Sequence, residues 1–230
     1  MYLYETHLHT SPVSKCSCAS VRRTLEFYKA AGYQGVFITN HFLDGNINID
    51  RALPYTERLE FYFSDYEEAM KIKDEIGIDV FLGVEMSYGG TDFLVYGLDK
   101  QWWMTHTELE GMPKKAQLEL LRYAGALVIQ AHPFREAGYI DHIRLFPRSV
   151  DGVEVYNACR TDFENERAEE YARAYGLIPF SGSDNHRAEL QPVLGGITTE
   201  EPLTGEGDLC RLVKQKAHGL IVKRENDTCR

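Results

Sequence analysis

Met1-Tyr2-Leu3-Tyr4-Glu5-Thr6-His7-Leu8-His9-Thr10 opens the chain. The apolar, aromatic run over residues 2–9 predicts a β-strand that closes on two histidines. Residues two apart in a strand face the same side, so His7 and His9 can grip one cation together. Glu5 shares that face but lies deeper, as a partner from behind or a core group.

The same device recurs along the chain. His41 follows the run at residues 36–39, Glu85 follows 78–84, His132 follows 126–131, and Asp184 and His186 follow 177–180. Each stands at the C-terminal end of a predicted strand that precedes a helix. In a β/α barrel those ends converge on one face, where the loops build the active site. Imidazole and carboxylate groups converging from five segments predict a multinuclear metal centre. His106, His142 and His218 lack partner spacing and read as surface or capping residues. Trp102-Trp103 reads as peripheral core packing.

Between these runs lie amphipathic helical segments. Ser20 is an N-cap for a helix to Ala31, with Gly32 as the stop. Ser64-x-x-Glu67 reads as a capping box opening a second helix, which ends before Gly77. The runs at 78–85 and 92–98 are joined by a Gly89-Gly90 turn. Pro113 begins a helix reaching Tyr123, and an irregular helical stretch is expected from His132 to Phe146. A strand at 151–156, a helix at 163–175, late strands at 177–182 and 193–198, a helix within 203–219 and a short strand at 220–223 complete the pattern. The stretch 42–63 is long for a βα loop and carries Asp44, Arg51 and Arg58; such loops are lids, binding loops or disordered segments. About seven strands alternating with helices predict an α/β barrel, with an open doubly wound sheet as the alternative. No linker or repeat divides residues 1–230, which read as one domain.

Net charge is −10 over 230 residues, which disfavours long nucleic acid as a partner. No stretch reads as a signal peptide or membrane span. Five cysteines (Cys16, Cys18, Cys159, Cys210 and Cys229) make an odd count, which with no secretory pattern predicts reduced thiols and a cytoplasmic location. Cys16-x-Cys18 lacks the second pair of a structural zinc site.

His7-Leu8-His9-Thr10, Thr39-Asn40-His41, Gly83-Val84-Glu85, Ala131-His132-Pro133, Gly152-Val153-Glu154-Val155-Tyr156-Asn157 and Gly182-Ser183-Asp184-Asn185-His186 form an ordered set. It resembles the PHP (polymerase and histidinol phosphatase) family, and spans most of the chain. The resemblance implies a distorted (β/α)7 TIM-like barrel, a centre of two to three divalent ions (Mn, Fe or Zn) and hydrolysis of phosphate esters. By that pattern His7, His9, Glu85 and Asp184 hold one metal, Glu85 and His132 a second, and His41 and His186 a third. Glu85, Asp184 and His132 carry the catalytic role, and Glu154 and Asn157 support the ligands from behind.

The chain departs from the pattern twice. A histidine or aspartate often follows the His-x-His, where this chain offers Ser14-Lys15-Cys16. A histidine often follows the bridging glutamate, where this chain has Asp92. Asp92 and Cys16 are therefore possible further ligands. Lys15 is expected to repel a third cation and to contact the substrate phosphate.

Paired cations suit phosphoester hydrolysis because they acidify water, which becomes the nucleophile, and neutralise phosphoryl charge. Arg135, Arg160 and Arg187, each just beyond a strand end, are placed to bind phosphate. The expected activity is a phosphomonoesterase on a small phosphorylated metabolite, with L-histidinol phosphate one candidate. A nuclease or nucleotide phosphodiesterase on the same metals is the alternative. So is an amidohydrolase-type enzyme, which also uses a His-x-His strand but calls for a ligating lysine or an aspartate-only late strand, which Asp184-Asn185-His186 fits less well. A non-catalytic metal-binding module is the remaining reading.

Overall fold

The computed structural model describes residues 1–226, so Cys229 lies outside the described residues. Nine strands form one sheet curled into a nearly closed barrel. They are β1 (Tyr2–Leu8), β2 (Gly35–Ile38), β3 (Asp79–Tyr88), β4 (Thr91–Tyr96), β5 (Leu127–Ala131), β6 (Gly152–Asn157), β7 (Ile178–Gly182), β8 (Val193–Thr199) and β9 (Gly219–Glu225), in the order β7-β6-β5-β4-β3-β2-β1-β8-β9. The end of β1 meets the end of β7: His9 N–H donates to Asn185 O (2.9 Å) and Asn185 N–H to His7 O (3.2 Å). The helices are α1 (Val21–Ala30), α2 (Tyr55–Ile76), α3 (Lys100–Thr105), α4 (Lys114–Tyr123), α5 (Asp162–Tyr175) and α6 (Glu206–Lys214). Among the described residues no helix is long and apolar enough to cross a membrane.

The sheet is not uniformly parallel. β4 runs antiparallel to β3 and β5, and β8 to β1 and β9. Gly89 and Gly90, both at positive φ, turn β3 straight into β4. A turn this short can only make a hairpin, since a parallel pair needs a long crossover. Glu85 therefore lies within β3 rather than at its end.

Alternation along β3 explains how the hairpin loads the rim. Leu82, Val84 and Met86 pack outward against Leu59, Tyr62 and Phe63 of α2 and Leu118 and Leu121 of α4. Phe81 packs inward with Tyr4, Phe37, Tyr96 and Phe180, so Glu85, four residues on, faces the same interior.

In β1 the parity is reset. One extra residue sits opposite β2 between Glu5 and Leu8, so Tyr4 packs in the barrel interior while Leu8 packs outward against α1. His7 and His9 then face inward. Such bulges re-aim side chains beside functional sites.

Two helical expectations are corrected. α2 begins after Pro54 and passes through Ser64, whose hydroxyl donates back to Phe61 O at 2.7 Å; it caps nothing. Leu59, Tyr62, Phe63 and Ala69 bury one face across that position, and this packing outweighs the local capping signal. The rim loop is accordingly the stretch 42–54, shorter than expected. The stretch after His132 up to Phe146 contains no helix. Its backbone is held by Gln130, whose amide donates to Arg144 O (2.7 Å) and accepts from Phe146 N–H (3.1 Å). Trp103 packs in the core against Phe42, and Trp102 stacks on His106.

Candidate metal centre

The ends of β1, β2, β5 and β7, together with the β3–β4 hairpin, bring the seven predicted ligands into one cluster. Three overlapping groups have ligand atoms within 4.8 Å of one another: His7, Glu85 and His132; His7, His9 and Asp184; and His9, His41 and His186. Six of these seven residues are buried, and His186 is partly exposed. The grouping shares His7 and His9 between clusters, where the family pattern gives the third ion only His41 and His186.

Glu85 sits at the centre. One carboxylate oxygen lies 3.1 Å from His7 Nε2 and 3.4 Å from His132 Nε2; the other lies 2.5 Å from His41 Nδ1 and 3.6 Å from His9 Nε2. Asp184 Oδ1 is 3.3 Å from His9 Nε2 and 3.5 Å from His7 Nε2. Both Glu85 oxygens, His7 Nε2, His9 Nε2 and His41 Nδ1 are buried without a partner in hydrogen-bonding geometry. Buried polar atoms are almost always satisfied, so orphans converging on one point fit divalent cations.

The opposite nitrogens are tied down. His7 Nδ1 bonds Glu154 at 2.9 Å, His9 Nδ1 bonds Ser14 Oγ at 3.2 Å, and His186 Nδ1 bonds Asp184 O at 2.8 Å. Such partners fix the ring and its tautomer so that the other nitrogen faces a metal. Glu154 also accepts from His132 N–H (3.0 Å) and from the Asn157 amide (2.9 Å), which reaches Asp184 at 3.3 Å. Close packing permits this: a β-carbon at Gly182 would lie 2.5 Å from His7 Cβ and 2.7 Å from Glu154 Oε1. His132 (φ 25°) and Asp184 (φ 55°) both adopt the left-handed region, a strain that persists where the surroundings over-determine it and clusters at functional sites. Glu154→Gln is expected to weaken Mn binding by about 10–100-fold in a titration of metal-free protein. Unchanged affinity would mean that His7 needs no support from behind.

Charge in the cluster is strongly coupled. Burial opposes ionisation of Glu85, but His41 and His7 hold its carboxyl well below the usual range; His7 and its neighbours do the same for Asp184. Burial likewise opposes the charged form of His7, yet Glu154, Asp184 and Glu85 push it well above an ordinary imidazole. His9, buried beside His186 and His41, is pushed well down.

Glu5 lies behind this cluster and is fully buried. Its Oε1 accepts from the backbone of Thr6 (3.0 Å), His7 (2.8 Å) and Ser183 (2.9 Å), and Oε2 accepts from the Ser183 hydroxyl. Burial raises its pKa from 4.5 to about 7 against those bonds. Below the lower value both folded and unfolded chains hold the proton. Between the two values only the folded chain does, so this group's stabilising contribution declines as pH rises through that window. Metal-free wild type should therefore lose on the order of 3 kcal/mol relative to Glu5→Gln across it. Urea unfolding of both proteins at each end of the window checks this, and parallel pH profiles would contradict it.

The cluster floors a cavity of about 590 Å³ whose wall includes Cys16, Asp44, Arg51, Asp92, Arg135, Tyr139 and Arg160. Arg135 and Arg160 face it. Arg187 instead lines a flanking cavity of about 420 Å³ with Cys16, Cys159 and Arg160. Asp92 reaches the rim because β4 runs antiparallel, so its first residues lie on the C-terminal face. Asp92 belongs to none of the three groups; its Oδ2 lies 3.1 Å from Arg135 Nη2 and 3.8 Å from His132 Nε2. Lys15 is exposed and does not line the cavity; its backbone N–H is engaged by Asn46 O. The expected contact of Lys15 with the rim is thus corrected, and Cys16 is the residue of that segment that faces it. Partial desolvation of the sulfur raises the Cys16 pKa, but the adjacent imidazoles of His186 and His41 lower it to about 6.

Sequence reading missed Ser14 and Asp65. Ser14 Oγ bridges His9, Asn40 (2.8 Å) and the backbone of His41 (3.1 Å). Asp65 on α2 is buried and bonds Thr10 (2.7 Å) and Asn40 (3.0 Å). Nothing in the spacing of Asp65 marks it. Arg51 was noted only as part of a long loop.

No family model matches the chain, and no curated protein matches it either. Solved structures do. A two-domain Bacteroides vulgatus protein containing a predicted PHP-like metal-dependent phosphoesterase aligns with TM-score 0.69 at 14% identity. The alignment covers 96% of this chain, which spans 65% of that protein's length. A proposed metal-dependent phosphoesterase from Bifidobacterium adolescentis aligns with TM-score 0.54 at 14% identity, over 80% of this chain and 88% of that one. An amidohydrolase from Chromobacterium violaceum, solved with bound sulfate and no metal, aligns with TM-score 0.57 at 14% identity over 99% of both chains. The fold is shared with these proteins: a distorted TIM-like barrel, here with imidazole and carboxylate groups gathered on one rim. What this chain does on that architecture rests on its own residues.

Proposed function

We propose that the chain is a metal-dependent phosphomonoesterase acting on a small phosphorylated metabolite. The observation that carries this is the join of two features: ligand clusters that share His7 and His9 around the Glu85 carboxylate, and a cavity above them with Arg51, Arg135 and Arg160 in its wall. In this reading His7, His9, Glu85 and Asp184 hold one ion, Glu85 and His132 a second, and His41 and His186 a third. Divalent cations supply Lewis acidity at the phosphoryl oxygens and make water a competent nucleophile near neutral pH. Arg135 and Arg160 orient the phosphoryl group and offset its charge. The Glu154–His7 and Ser14–His9 contacts hold the imidazoles in place. No nucleophilic serine or cysteine is required.

The mixed ligand set admits Mn, Fe or Zn. The cavity suits a small ester, and L-histidinol phosphate remains one candidate. Likeness to an amidohydrolase over the full chain supports a second reading, hydrolysis of an amide or lactone. Against it, no lysine is among the described residues lining the cavity. A panel of phosphomonoesters, phosphodiesters, amides and lactones, assayed after loading with each metal, decides between them. Monoester turnover is the expected result. Turnover of diesters alone would favour the nuclease reading, and of amides or lactones alone the amidohydrolase reading.

A further inference from the structure

Three features meet at the outer rim: the loop after the His-x-His, the partly exposed His186, and the buried His41. His9, His41 and His186 form the outermost ligand group. The ring of His9 stacks on both others, at centroid distances of 4.4 Å and 4.2 Å. His9 Nε2, however, is 3.3 Å from Asp184 and 3.6 Å from Glu85, so it is already committed to the inner part of the cluster. That leaves the outer position with two imidazoles and a need for a third donor. His41 is nine-tenths buried, and its Nδ1 faces the Glu85 carboxylate at 2.5 Å.

The third donor is in place. Cys16 lines the same cavity as His41 and His186, with its thiol beside both imidazoles. Its position is held by the local fold. Lys15 N–H donates to Asn46 O (3.0 Å), Ser17 N–H to Ser14 O (3.1 Å) and Cys18 N–H to His186 O (3.0 Å). Together these bonds wrap the segment 14–18 across the outer side of the cluster. Lys15 is turned to solvent by the same wrapping.

We propose that Cys16 is the third protein ligand of the outer ion, making with His41 and His186 a two-nitrogen, one-thiolate site beside harder, carboxylate-rich inner sites. The inference rests on the reading of the rim as a metal centre. Ligation is an exchange: the S–H bond breaks, its proton leaves to solvent, and the sulfur electron pair bonds the cation, with no change of oxidation state. The consequence is a difference in metal preference within one rim. Thiolate favours zinc and other soft or borderline ions, whereas the carboxylate-bearing inner sites also accept manganese. The outer ion is then the one most readily lost when Cys16 is oxidised or alkylated.

Cobalt(II) tests this without any assay of turnover. Titrating metal-free protein with cobalt should produce a near-ultraviolet sulfur-to-cobalt charge-transfer band that grows only as the outer site fills. Cys16→Ser should abolish the band and weaken that equivalent by at least about tenfold, since loss of even a supporting group costs that much. The inner equivalents should be unaffected. Because Cys16 is exposed, the variant removes no core contact, and circular dichroism should match wild type. Cys18→Ser and Lys15→Ala should keep the band. Protein that binds cobalt with no such band, or keeps it in Cys16→Ser, overturns the inference and leaves the metal-centre reading standing. Protein that binds no cobalt overturns both.

Discussion

Glu85→Ala should lose at least ~10³-fold in kcat towards the best phosphomonoester, while circular dichroism and expression stay near wild type. The size follows from position: each Glu85 oxygen approaches two imidazoles, four in all, and loss of a single well-placed electrostatic group alone costs about 10²–10³. Glu85 differs from the other ligands because its two oxygens can serve two cations, which neutral imidazole cannot do. Glu85→Gln keeps the volume and loses the charge, and should fail almost as completely. Activity within about tenfold of wild type in either variant, at saturating Mn, would refute the bridging role. Asp184→Ala and His9→Ala should behave similarly.

Metal removal should produce the second large effect. A ligand bound only by the folded chain at about a thousand times its Kd stabilises by ~4 kcal/mol. For a domain of this size that corresponds to a fall in Tm of roughly 8–16 °C on chelation. The gain on reloading should shrink as pH falls. His7 and His41 are both pushed well above the ordinary imidazole range, so protons already compete with cations near neutrality, and more strongly below it. Scanning calorimetry with and without Mn, Fe or Zn, at about pH 6 and about pH 8, provides the measurement. Elemental analysis of the loaded protein should give at least two ions per chain. A Tm indifferent to metal, with less than one ion bound, would remove the centre altogether.

The parts of this molecule legible from sequence are those set by local pattern. Strand runs ending in His-x-His, Glu or Asp-x-His predict both the strands and the face that gathers them, because side-chain period and strand direction are local properties. The helix expected at 163–175 likewise matches α5 within a residue, with Gly176 as its C-cap. Tertiary effects were not legible. The bulge in β1 appears only when β1 is paired with β2. The start of α2 is set by packing of Leu59 and Tyr62 rather than by Ser64. The antiparallel sense of β4 is implied by Gly89-Gly90, but its effect, delivery of Asp92 to the rim, needs the strand order. Whether Lys15 or Cys16 faces the ligands depends on hydrogen bonds to Asn46 and His186, residues distant in the chain.

The β3–β4 hairpin also bears on how a cation reaches its ligands. Where a βα barrel ordinarily places a loop, this rim has a ladder in which Val84–Ser87 pair with Asp92–Val95, and β4 is paired on its other side by β5. Glu85 is further tied at its backbone to Asn40 and Phe42. In hydrogen-exchange language, these doubly paired amides are expected among the slowest to open. If the rim holds ions as proposed, they are expected to enter and leave past the opposite wall, formed by the irregular segment 42–54 and the strap at 14–18. The exchange rates of those two segments, and not of the hairpin, should set the off-rate of metal.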